Sequence, residues 1–170
     1  NMAILFGKLP THGDFVSRGL SHEGQNFWDE AISISLSLSR LRFGESFEAL
    51  YGQAAPWRCL VRDAHYWLAG ALAPSMDRAG RLFPILAARR LETHEAGSAV
   101  AAACEDLLFE ALSESWTVDD LYSGVCAIGE SYISEPREID NGWWLDGYEL
   151  LGKSLPTLDG LLPQSLLSEM

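Results

Sequence analysis

Three strand-length apolar runs crowd into residues 57–88, and they constrain the fold more tightly than any other feature of the chain. Residues 57–62, 65–72 and 82–88 are rich in Trp, Leu, Ile, Val and Ala, and only Asp63 and Ala64 separate the first two. A gap that short between two strands predicts a β-hairpin. The third run follows a polar segment, residues 74–81, that is too long and too charged for a simple turn, and long loops carry function more often than strands do. Pro84 lies inside the third run and lacks the N–H a sheet ladder needs, so an edge position or a bulge is expected there.

On either side of this block the pattern changes. Residues 3–9 read as an opening strand that ends at Pro10 and passes through the loop Thr11-His12-Gly13-Asp14-Phe15 into a helix. Ser21 is the expected N-cap, and Phe27, Ala31, Ile34, Leu38 and Leu41 recur at three- and four-residue spacing, predicting the face that packs on the sheet. Phe43-Gly44-Glu45 breaks that helix, and residues 46–52 read as a short second one. After Thr93 the pattern is helical again, with Val100, Ala103, Leu107, Phe109, Ala111 and Leu112 in an alanine-rich stretch. Thr117 is the expected N-cap of a further helix whose acidic first turn suits the helix dipole. Residues 129–141 read as a loop or edge hairpin and residues 143–145 as a last short strand. The order is strand, helix, three strands, helices, with no internal repeat and no linker.

Composition narrows the functional classes. A chain of 170 residues that is 48% apolar and 11% aromatic is one globular domain rather than a disordered segment. The net charge of −12 argues against a nucleic-acid partner. The acidity is uneven: residues 1–90 hold ten Lys/Arg and eight Asp/Glu, whereas residues 91–170 hold two and sixteen. That half is either a solvated face or a docking surface for a basic partner. Cys59, Cys104 and Cys126 are odd in number and each lies in apolar surroundings, which predicts buried thiols in a reducing compartment. No secretory signal is read before Met2, and no apolar run approaches the roughly 20 residues of a membrane helix, so a cytoplasmic protein without membrane insertion is expected.

Catalytic signatures are weak. No Gly-x-Ser-x-Gly elbow is present, and His12, His22, His65 and His94 have no zinc-site spacing. Gly7-Lys8 lacks the rest of a phosphate-binding loop. Neither a metal nor a cofactor is expected. Two segments carry more information than a fold needs. In the first, residues 7–15, Lys8 offers a cation, Gly13 can supply a positive φ, and Asp14 can accept hydrogen bonds from a turn or a nearby arginine. In the second, residues 74–84, Asp77, Arg78 and Arg81 form a cluster capable of bidentate pairing. Arg78 or Arg81 can pair with Asp14 to lock the two loops, or can face a carboxylate or phosphate on a partner. Trp143 and Trp144 sit on opposite faces of their strand by its two-residue period, and an exposed Trp144 would make an interface anchor.

Residues 7–16, Pro56-Trp57-Arg58, residues 74–84 and Trp143-Trp144 follow, in order, the pattern of the TagF (ImpM) family of bacterial type VI secretion. The resemblance covers about residues 3–145, and the block at 74–84 is its most specific part, with Met76 and Ala79 standing where Val is expected. It implies an α/β single-domain sandwich with a central, largely antiparallel sheet between helices. Residues 2–153 would form this domain and residues 154–170 a weakly structured tail. It further implies regulation rather than enzymatic activity: post-translational repression of type VI secretion, linked indirectly to its threonine-phosphorylation pathway, by sequestration of a forkhead-associated scaffold protein. Some relatives are fused to a PP2C-type phosphatase domain. No such domain is read within these 170 residues, and phosphatase activity is not expected. The rival class is a small hydrolase or ligand-binding protein that uses Asp14, Asp77, Arg78 and Arg81 as its site.

Overall fold

The computed structural model of the chain describes residues 2–62, 65–129 and 142–144, the last three as backbone. The strands are β1 (Ala3–Gly7), β2 (Val16–Arg18), β3 (Trp57–Arg62), β4 (Trp67–Ala73), β5 (Ile85–Leu91) and β6 (Gly142–Trp144). The helices are α1 (His22–Phe43), α2 (Phe47–Gln53), α3 (Gly97–Ser113) and α4 (Val118–Cys126), with a 3-10 turn, Gly44–Ser46, between the first two. One sheet holds all these strands in the order β2-β1-β5-β4-β3-β6, and every pairing is antiparallel.

Helices cover both faces of the sheet, which is why its inner strands read as continuous apolar runs rather than as alternating ones. On one face Leu5, Leu60, Ala69, Ala71, Ile85 and Ala87 meet Val100, Ala101, Cys104 and Leu108 of α3 and Leu121 and Val125 of α4. On the other, Ile4, Phe6, Trp57, Cys59, Leu72 and Leu86 meet Trp28, Ile32 and Leu36 of α1 and Phe47 and Tyr51 of α2. The chain is therefore the expected α/β sandwich with a central antiparallel sheet between helices. Across the first interface Arg58 of β3 bonds Glu105 of α3 through Nη2 at 2.6 Å, a largely buried pair that ties α3 to the sheet.

The helix starts agree with their caps. Ser21 Oγ accepts from the Gly24 N–H, and Thr117 and Asp120 form a reciprocal capping box at the start of α4. Other expectations are corrected. The face of α1 that packs on the sheet is Trp28, Ile32, Ser35, Leu36 and Ser39, whereas Phe27, Ile34 and Leu41 point outward. This helix carries two apolar stripes, and spacing alone does not say which one meets the sheet. Pro84 precedes β5 rather than interrupting it, so β5 runs centrally between β1 and β4 instead of at an edge. Strand β2 has only three residues and gives no run to read. Cys126 is exposed, unlike the buried Cys59 and Cys104, because it lies at the solvent end of α4. The expectations for Asp63-Ala64, for residues 129–141 beyond Gly129, for the tryptophan side chains of β6 and for the tail at 154–170 lie outside the described residues.

Candidate functional site

The two information-rich loops meet at the end of the sheet where β1 leaves it. Gly7 ends β1 at a φ of 138°, and a Cβ there would come 2.0 Å from the Pro84 carbonyl oxygen, so only glycine allows the two segments to approach. The residue after it, Lys8, is thereby turned into the loop. Its N–H donates to the Pro84 carbonyl at 3.3 Å, and its own carbonyl accepts from Ser75 Oγ at 2.7 Å.

Asp77 is the centre of the cluster. Its side chain is fully buried, and Oδ2 lies 3.1 Å from Lys8 Nζ and 2.7 Å from Arg81 Nε. Oδ1 accepts from the N–H groups of Ala79 and Arg81 at 2.9 and 3.0 Å. Burial alone would raise its pKa, but the Arg81 N–H, the Lys8 ammonium and the Arg81 guanidinium outweigh it and hold the carboxyl at about 2. The carboxylate is thus a permanently ionised hub rather than a proton donor. The turn around it closes through Gly80, whose φ of 84° suits glycine and whose N–H donates to the Asp77 carbonyl at 3.0 Å.

The arginines carry the lock into the first loop. Arg81 Nη2 donates to the Gly13 carbonyl at 2.9 Å, the Arg78 N–H to the His12 carbonyl at 2.8 Å, and the Arg78 guanidinium to the Thr11 carbonyl. Asp14 does not join them: it is exposed, and its Oδ1 accepts from its neighbour Phe15 N–H at 2.7 Å. The expected pairing of Arg78 or Arg81 with Asp14 is therefore replaced by pairing with Asp77 and with loop carbonyls. Gly13 has no positive φ and serves through its carbonyl instead. Of the residues singled out from sequence, Lys8, Asp77 and Arg81 converge directly, Arg78 joins through backbone, Asp14 stands apart, and the Trp144 side chain lies outside the described residues.

Further residues complete the knot. Tyr51 of α2 lies with its hydroxyl 2.8 Å from the Ser75 carbonyl and 2.9 Å from the Ser75 N–H, donating to one and accepting from the other. Its burial raises the phenol pKa, so it stays neutral. His12 Nε2 accepts from the Val118 N–H at 3.0 Å, and Thr11 Oγ1 donates to the Trp116 carbonyl at 2.8 Å, which ties the first loop to the start of α4. Nothing in the sequence near Tyr51 marks it for this role, because its partner is distant along the chain.

What reaches solvent from this end is different in kind. Phe15 and Met76 are 44% and 41% exposed. Phe15 stands on Phe6 and Phe83, with ring centroids at 6.0 and 4.8 Å, and under Lys8 Nζ at 4.8 Å. Met76 pairs with Leu82 across an isolated bridge. Beside Met76 a cleft of about 350 Å³ is lined by Glu48, Tyr51, Pro74, Ser75 and Leu82 among others, and takes nothing from Lys8, Asp77 or Arg81. The surface of the two loops therefore holds the apolar side chains Phe15 and Met76 together with the exposed Asp14, Arg78 and Arg81, and the acids Asp119 and Asp120 of α4 are exposed close in sequence to the Trp116 and Val118 contacts. Among the described residues no group of three or more His, Cys, Asp or Glu side chains is placed to hold a metal ion, and no helix is long and apolar enough to cross a membrane.

A crystal structure of PA0076 from Pseudomonas aeruginosa PAO1 superposes with a TM-score of 0.65 at 26% identity, covering 75% of this chain and 62% of that one. The chain therefore spans less than two thirds of that protein's length. No curated protein matches the sequence. Residues 5–128 match the TagF N-terminal domain, described as type VI secretion system-associated, and these residues include the whole loop cluster. A match over that much of the sequence, with its fold, means that the chain belongs to the TagF N-terminal domain family associated with type VI secretion.

Proposed function

We propose that this chain is a protein-binding regulator, a post-translational repressor of type VI secretion that sequesters a forkhead-associated scaffold protein. The observation that carries the reading is the state of the Asp77 cluster within a family tied to type VI secretion. Its charged groups are spent on one another and on loop carbonyls, with a carboxylate held ionised, which supports a scaffold that presents a surface over a site that turns over a substrate. The presented surface includes Phe15 and Met76, two half-exposed apolar side chains beside the exposed Arg78 and Arg81, on loops tied together by ion pairs and hydrogen bonds, an arrangement suited to anchor a protein interface. A reaction using Asp14, Asp77, Arg78 and Arg81 would need those four side chains to converge on a cleft, and Asp14 stands apart from the other three.

The test is a binding measurement between the intact chain and the purified forkhead-associated protein of the same secretion cluster, by calorimetry. Phe15→Asp and Met76→Asp are expected to weaken binding by more than about tenfold, Met76→Asp with the melting temperature nearly unchanged and Phe15→Asp with some loss of stability, because the Phe15 ring packs on Phe6 and Phe83. Arg81→Ala is expected to lower the melting temperature as well as binding. Absence of heat with the unmodified chain, or binding unaffected by both apolar substitutions, would refute this reading.

A further inference from the structure

The cleft beside Met76 is the feature of this end that the Asp77 cluster leaves unexplained. It holds about 350 Å³, at the small end of the range for binding pockets, which suits one long side chain better than a cofactor. Two separate segments form it. The second loop gives Pro74, Met76 and Leu82, with Met76 exposed and the other two half-buried. Helix α2 gives Glu48 and Gly52, both exposed. Tyr51 holds the two segments in place through its hydroxyl, which bonds both polar groups of Ser75. The mouth stays open where glycine stands, since a Cβ at Gly52 or Gly80 would meet no atom within 4 Å.

The lining decides what chemistry fits. Glu48 is the single charged residue of the lining, and it makes no ion pair among the described residues. Arg40, the base that α1 brings to α2, lies instead over the Phe47 ring at 4.9 Å. An aliphatic side chain entering the cleft would take water from the Glu48 carboxylate without pairing it, and an acidic one would be repelled. A cation on an apolar stem satisfies both parts of the lining, with its methylenes on Met76, Leu82 and Pro74 and its charged head at Glu48. We propose that this cleft receives an arginine or lysine side chain of a partner protein, with Met76 and Leu82 packing the stem and Glu48 pairing the head. The inference rests on the reading of this end as a protein-binding surface, and names the side chain that the surface takes.

The test uses n-butylguanidinium, a cation on an alkyl stem, as the probe and n-butyrate, an anion on a similar stem, as the control. Titrated into the isotope-labelled intact chain, the guanidinium is expected to shift the backbone amide signals of Gly52, Met76 and Gly80 saturably in the millimolar range, and butyrate to leave them in place. Glu48→Gln keeps the shape and removes the charge, and is expected to weaken the probe about three- to fivefold. Gly52→Leu fills the open mouth at a helical position where leucine is preferred to glycine, so probe binding is expected to vanish with the melting temperature held or raised. Both variants are also expected to weaken calorimetric binding of the forkhead-associated protein. Absence of saturable shifts, equal shifts with butyrate, or a probe affinity that both variants leave unchanged overturns the inference. Saturable shifts beside no heat from the forkhead-associated protein would uphold the cleft and refute the repressor reading. Heat from that protein that both variants leave unchanged would overturn the inference and uphold that reading.

Discussion

Asp77 decides the character of the loop cluster. With its carboxyl held at about 2, the folded state favours the carboxylate more than the unfolded chain does. The stability this supplies is complete above about pH 4 and is lost as pH falls toward 2. Thermal unfolding followed across that window should show the loss in the unmodified chain and a shallower one in Asp77→Asn. At neutral pH Asp77→Asn leaves Lys8 and Arg81 without their common anion, and a fall in melting temperature of roughly 10 °C is expected. Tyr51→Phe removes a hydroxyl that serves both polar groups of Ser75, at a cost of about 1–2 kcal/mol read from denaturant unfolding. Thiol reactivity checks the burial pattern: Cys59 and Cys104 are fully buried, with the Cys104 thiol pushed up to about 12 by burial, and Cys126 is exposed. One fast-reacting thiol in the native protein and three after denaturation is the expected titration.

At the scale of elements, what could be read from sequence followed local rules. Caps at Ser21 and Thr117 declare themselves because a short polar side chain binds its own helix's N–H groups, and the strand β4 declares itself by an uninterrupted apolar run. Thr117→Ala removes the capping box of α4 and should cost about 1 kcal/mol, measurable by denaturant unfolding. The misreadings share a cause, which is that the deciding contact lies far along the chain. The α1 stripe that meets the sheet is chosen by Trp28 against the strand residues, not by spacing within the helix. The start of β5 is set by the approach of Pro84 to Gly7, and three-residue β2 exists only because β1 offers it a partner. Within the site, Asp77, Arg78 and Arg81 were legible as a local cluster of charges. Lys8 was legible as a candidate cation as well, but its pairing with Asp77 and the pairing of the arginines with the carbonyls of Thr11 and Gly13 span more than sixty residues and carry no local signal.

For the whole molecule, the fold and its place in type VI secretion rest on the sheet order and on the match over residues 5–128. The acidity of the second half gathers partly on α3 and α4, where Asp106, Glu110, Glu114, Asp119 and Asp120 are exposed. If that face adds to partner binding, affinity falls as salt rises, because exposed charges are screened beyond about 8 Å at physiological ionic strength. The share carried by the apolar side chains of Phe15 and Met76 should persist in high salt. The most direct measurement is calorimetric binding of the intact chain to the forkhead-associated scaffold protein, beside the Phe15→Asp and Met76→Asp variants. Saturable binding that both variants lose, with the melting temperature held in Met76→Asp, is the predicted result. No binding, or equal binding by all three proteins, would contradict regulation through this surface.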